Sequence, residues 1–223
     1  MVETTRAKEP FHFCTRMNLP SLTGLKASNL EELLSLIREV SGACIYHHTH
    51  RFLQQHQFLS PEPPNDFAYW VREVLGEDEL AERLASIDVM QFASIRELRD
   101  KIADTIESFI NDEPTAKKKF ARKGEEMILI KSVSFVAWTK YYANDLAEFV
   151  DVIKKITIDS IYFHVFESRI RLGKLTNDFS YWLEFSLGEK EIAKKIAAFD
   201  PYTLTLEDLR QKIVSIIEKR IKG

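Results

Sequence analysis

One pattern occurs twice in this chain. Ile45-Tyr46-His47-His48 is followed by Asn65-Asp66-Phe67-Ala68-Tyr69-Trp70, and Ile161-Tyr162-Phe163-His164 by Asn177-Asp178-Phe179-Ser180-Tyr181-Trp182. The residues between and around the two copies keep step. Leu30, Leu33, Leu34, Ile37 and Val40 form an apolar stripe of helical period, and adding 116 gives Leu146, Phe149, Val150, Ile153 and Ile156, apolar at every position. The offset becomes 112 after the first loop and 111 in the last helix, where Leu98, Ile102, Ile106 and Ile110 map onto Leu209, Ile213, Ile217 and Ile221. Two halves that repeat their buried faces predict two homologous folds related by a pseudo-twofold axis. The expected fold is mainly α with minor β, an internally duplicated helical protein. Its first repeat half spans 1–112, a charged linker 113–125 and the second half 126–223, with the halves packed as one globular unit.

Local signals place the elements. Phe11 to Arg16 alternates apolar and polar residues, as a short strand does. Leu19-Pro20-Ser21-Leu22-Thr23-Gly24 then reads as a break. Ser28 and Glu31 have the spacing of a capping box, and so do Ser94 with Glu97 and Thr205 with Asp208. Asn65 or Asp66 caps the helix bearing Phe67, Trp70 and Val71. Met127 to Trp138 is rich in Ile, Val and Phe and reads as a second strand. Aligning Thr15-Arg16 with Thr139-Lys140 sets it against the first at an offset of 124 and predicts that the two strands pair. Residues 1–10 are charged and expected to fray.

Composition excludes several function classes. A net charge of −3 argues against a protein that coats nucleic acid. No apolar run reaches the roughly 20 residues of a membrane span, and the N-terminus lacks the apolar core of a signal peptide. The two cysteines, Cys14 and Cys44, read as thiols of a reducing compartment, which places the protein in the cytoplasm. The cluster Lys117, Lys118, Lys119, Arg122 and Lys123 in the linker reads as a solvated charge run. No glycine-rich phosphate loop, nucleophile elbow or Cys-x-x-Cys is present.

Chemistry, if there is any, centres on the first copy, where four of the six histidines lie between Cys44 and His56. On a helix, Ile45, Thr49, Phe52 and His56 share one face, while His47, His50, Arg51 and Gln54 lie on the opposite, polar one. His48 recurs as His164, Asp66 as Asp178 and Tyr69 as Tyr181, which predicts a structural imidazole bonded to a carboxylate or tyrosine. His47, His50 and His56 have no histidine counterparts. The candidate ligand-binding set is therefore His47, His48, His50, His56, Asp66 and Tyr69, with His48 and Asp66 as the candidate catalytic pair. No cofactor is predicted; a transition metal, if bound, would draw on His47, His50 and His56. The Asn-Asp-Phe-x-Tyr-Trp motif reads as a helix cap with aromatic anchors, or alternatively as a platform for a sugar ring.

Thr23-Gly24-Leu25-Lys26-Ala27, Ile45-Tyr46-His47-His48-Thr49-His50-Arg51-Phe52-Leu53 and Asn65-Asp66-Phe67-Ala68-Tyr69-Trp70 together resemble an uncharacterised prokaryotic family known only as a domain of unknown function. The resemblance covers nearly the whole chain and implies no activity, ligand or catalytic residue. The function expected from the residues is that of a non-catalytic binding or regulatory protein, acting on a protein partner or a small polar ligand, with neither nucleic acid nor membrane as its target. The alternative is a metal-assisted enzyme using the histidine-rich stretch. Oligomeric state is left open.

Overall fold

The computed structural model describes residues 5–55, 64–172, 176–200 and 203–223. The described chain is mainly helical, with one two-stranded antiparallel sheet. Strand β1 spans Phe11–Ala27 and strand β2 spans Met127–Ala143. Between them run α1 (Leu30–Glu39), α2 (Gly42–Gln55), α3 (Asp66–Glu73), α4 (Asp78–Ala85) and α5 (Ile95–Asp112). After β2 come α6 (Leu146–Ile153), α7 (Ile158–Tyr162), a π-helical turn at Phe163–Glu167, α8 (Ser168–Leu172), α9 (Asp178–Phe185), α10 (Lys190–Ala197) and α11 (Leu206–Lys222).

Both strands are longer than their sequence signals. The expected break after Arg16 does not end β1, because a two-stranded ribbon leaves each strand one open side. Pro20 lacks an N–H to pair, and such an edge tolerates it. Gly24 takes φ 78°, a left-handed conformation that glycine adopts freely, with the Thr23 hydroxyl accepting from Leu25 N–H beside it. The offset of 124 between the strands is also corrected. Phe11, Phe13 and Ala27 are buried in β1, and Met127, Leu129 and Ala143 in β2, so the strands match at 116, as the helices do. The Thr23 hydroxyl donates to Leu129 O and the Thr139 hydroxyl to Phe13 O, the same bond made twice at that spacing.

The chain divides into two compact units that take the strands in pieces. Within the described residues, one unit holds 18–55 and 64–133, and the other holds 5–17 and 134–223. The helices α1–α5 thus share a unit with the second part of β1 and the first part of β2. The helices α6–α11 share theirs with the first part of β1 and the last part of β2. In the former unit, α1 and α2 pack on α5, and α3 on α4, burying Leu30, Leu33, Ile37, Ile45, Phe67, Leu80, Leu84 and Ile106 completely or nearly so. In the latter unit the core is aromatic. Phe11 contacts Phe13, Phe149, Phe179 and Trp182 edge-on, with ring centroids 4.7–5.7 Å apart, and Phe149 stacks on Trp182 at 5.2 Å.

Two local expectations need correction. The cap of α1 is Asn29, not Ser28: its side chain accepts from Glu32 N–H, and the Glu32 carboxylate accepts from Ser28 N–H. Residues 113–125, expected as a charged linker, carry contacts of their own. They include a 3-10 turn at Pro114–Lys118, Ala121 N–H donates to Ser28 O, Lys117 pairs with Glu31 and Lys119 with Glu77. Residues 7–9 are pinned rather than frayed, since Ala7 N–H donates to Asn144 O and Lys8 N–H to Ser186 O. The caps at Asn65, Ser94 and Thr205 stand as the sequence signals place them, Thr205 with Asp208 as a complete capping box.

Candidate functional site

Each unit ties a strand to its helices through one imidazole. His48 on α2 places Nδ1 2.8 Å from Asp66 Oδ2, and its Nε2 accepts from Ile130 N–H of β2 at 2.9 Å. His164 places Nδ1 2.8 Å from Asp178 Oδ2, and its Nε2 accepts from Cys14 N–H of β1 at 2.8 Å. A nitrogen that accepts from an N–H carries no proton, so each ring holds its single proton on Nδ1 and donates it to the carboxylate. Both imidazoles are 3% exposed. The relay takes a backbone donor of the strand and satisfies it from the helices.

The rest of the Asn-Asp-Phe-x-Tyr-Trp motif completes the same join. Asn65 caps α3 and donates to Leu84 O, while Asn177 caps α9 and donates to Ile196 O. Phe67 and Phe179 pack against the imidazoles, each at a centroid distance of 5.3 Å. Trp70 Nε1–H donates to Glu125 O at 2.7 Å, and Trp182 Nε1–H to Glu9 O at 2.8 Å, clamping the residues that lead into each strand. Tyr69 and Tyr181 alone among the motif's aromatic rings face solvent, at 50% and 47% exposure.

The histidines peculiar to the first copy are not where helical phase put them. His47 and His50, assigned to an open polar face, are 3% and 2% exposed. β2 reaches His47: the ring's Nδ1 meets Ser132 Oγ at 3.1 Å, and Arg51 donates to its Nε2 at 3.2 Å. Burial, with smaller contributions from His48 and Arg51, pushes the His47 pKa down to about 4. His50 stacks on Tyr46 and bonds Thr49 through Nδ1, the Thr49 hydroxyl proton going to Ile45 O. His56 lies outside the described residues. Among the described residues no group of three or more His, Cys, Asp or Glu is placed to hold a metal ion. Asp66 is brought to His48, Tyr69 stands one helical turn from Asp66 on α3, and the His47 ring lies edge-on to His48 at 5.0 Å.

An open concavity with exposed aromatic rings lies in the other unit. A cleft of about 600 Å³ is bounded by residues leading into and along β1, by β2 and by α9, with the His164 turn at its buried side. Trp138, 75% exposed, and Tyr181 present ring surface to it, and Phe163, His164, Cys14 and Trp182 form its buried side. His12 meets Trp138 edge-on at 6.1 Å. The His164 segment is π-helical where α2 is regular, a form that recurs at functional sites. Position 163 carries Phe where the first copy carries His47. The polar pairing there is rebuilt from the buried Glu167 carboxylate and Arg16 of β1, 3.0 Å apart. Trp138 was read only as the end of a strand. Its signal was the run Phe135-Val136-Ala137-Trp138, four apolar residues in a strand that alternates its sides and so buries at most every second one.

A family model described as a family of unknown function (DUF5752) matches residues 8–218, and the chain belongs to that family. Among solved structures it is similar to OrfY from Thermoproteus tenax, with 30% identity, a TM-score of 0.82 and coverage of 98% of this chain and 99% of that one. No curated protein matches.

Proposed function

We propose that this member of the DUF5752 family is a non-catalytic binding protein whose ligand site is the cleft between Trp138 and Tyr181. The observation that carries the reading is a division of labour around one repeated motif. The imidazole, carboxylate, asparagine and tryptophan are spent on joining strand to helix, while a tyrosine and a strand tryptophan keep their rings in solvent beside a cleft large enough for a small molecule. In this reading His48, Asp66, His164 and Asp178 position the fold. The two relays, built from the same residue types in the same order, support an origin by duplication, after which one copy took on the aromatic cleft. Buried thiols outside any disulfide at Cys14 and Cys44 suit a reducing compartment, the cytoplasm.

The test is a binding screen against small polar molecules, read by calorimetry. Hits lost in Trp138→Ala and kept in Tyr69→Ala support the reading; hits that survive Trp138→Ala sink it. A transition metal at one equivalent in untagged protein, lost in His50→Ala and kept in His164→Ala, would favour the metal-assisted enzyme instead.

A further inference from the structure

The charge of the cleft narrows what it can take. Among the described residues no lysine or arginine lines it, and the charged side chains there are the Glu9 and Asp178 carboxylates. His164 is committed to Asp178 and Cys14 N–H, which leaves His12 as the one other nitrogen base on the lining. An anion such as a phosphate ester would meet two carboxylates and, among the described lining residues, no lysine or arginine. The ring surface consists of the exposed Trp138 and Tyr181 with Phe163 behind them. Aromatic faces carry negative quadrupole density and attract cations, Trp most strongly.

Resting on the cleft reading above, we infer that the ligand is an organic cation, an alkylated ammonium or an amine, held over Trp138 and Tyr181 with Glu9 and Asp178 supplying the opposing charge. A volume of about 600 Å³ exceeds what one ammonium group fills, so the cation belongs to a larger molecule whose remaining part is apolar or uncharged. Trp138 makes the contact; Asp178 acts both as charge and as the anchor of His164, so it is not the residue to mutate first.

Choline and its uncharged isostere 3,3-dimethyl-1-butanol differ only in the charge-bearing atom, and they separate the possibilities. Calorimetry at pH 8, where ordinary imidazoles are neutral, should show choline binding about tenfold tighter than the isostere, as a cation–π contact with a carboxylate nearby provides. Trp138→Ala should weaken choline about tenfold, and Trp138→Phe should keep most of the binding. Glu9→Gln should weaken choline a few-fold and leave the isostere unchanged; its backbone carbonyl, which holds Trp182, is untouched. Equal binding of choline and the isostere overturns the inference, as does silence toward choline. If glucose then binds in a Trp138-dependent way, the cleft is the ligand site and only the charge assignment fails. If every hit of the wider screen survives Trp138→Ala, the cleft reading fails with it.

Discussion

At the scale of residues, two imidazoles fix the polarity of the whole arrangement. Each uses one nitrogen as donor and the other as acceptor, so removing either ring orphans a strand N–H at Ile130 or Cys14. His48→Ala and His164→Ala should each cost about 1–3 kcal/mol in urea unfolding; a loss near zero in either would mean that water replaces the ring without penalty. His47 makes a different prediction, through pH. Its folded pKa, about 4, lies below the ordinary 6.5, so as the pH falls the unfolded chain takes the proton first. The stability it protects is complete above pH 6.5 and lost progressively as the pH falls toward 4, up to about 3 kcal/mol in all. His47→Gln should flatten the stability profile by about one proton's slope over that window, with no change above pH 7. Cys44 is the inert counterpart: burial raises its thiol to about 11, and native protein should resist alkylation there at neutral pH.

At the scale of elements, α3 and α9 are short helices that do the work of clamps. Both are eight residues long, and neither would be stable in isolation. Their stability comes from asparagine caps that also reach a neighbouring helix and from tryptophans that grip the chain entering a strand. Trp70→Ala should cost about 3–5 kcal/mol by denaturant melt, and Trp70→Phe, which keeps most of the packing but loses the bond to Glu125 O, about 1 kcal/mol. A smaller loss for the alanine than for the phenylalanine variant would contradict the clamp. These elements were legible beforehand, because Asn-Asp-Phe-x-Tyr-Trp places a cap, a buried face and an exposed tyrosine at helical spacing. The length of β1 was not. Pro20 and Gly24 are ordinary chain breakers, and only a ribbon with an open side accommodates both.

At the scale of the molecule, the strand exchange decides which piece of chain can stand by itself. The described residues 18–55 and 64–133 hold both partners of the contacts that join their strands and helices: His48 with Ile130, His47 with Ser132, Trp70 with Glu125 and Lys26 with Glu126. Residues 134–223 lack the strand that supplies Cys14 to His164 and Ser160, Glu9 to Trp182, and Phe11 and Phe13 to the aromatic core. The fragment 18–133 should therefore fold cooperatively, whereas 134–223 should fold only when a peptide covering residues 5–17 is added. Circular dichroism melts of the two fragments, with and without the peptide, check this; a folded 134–223 alone would contradict it.

The sequence by itself determined most of the helices and their buried faces, and it narrowed the partner of His48 and His164 to a carboxylate or a tyrosine, because those depend on local period and on one short motif that occurs twice. It also marked the chain as a member of a family of unknown function. Tertiary structure decided the rest. It buried both His47 and His50, His47 against a strand more than 80 residues away in sequence, where helical phase alone put them on a polar face. It built the cleft at Trp138 and Tyr181 in the copy with fewer histidines, because a cleft is a property of what several elements leave uncovered. Phe163, Trp138 and Tyr181 come from three separate elements. Periodicity reports which face of one element is apolar, and it carries no information about which neighbour arrives to cover that face.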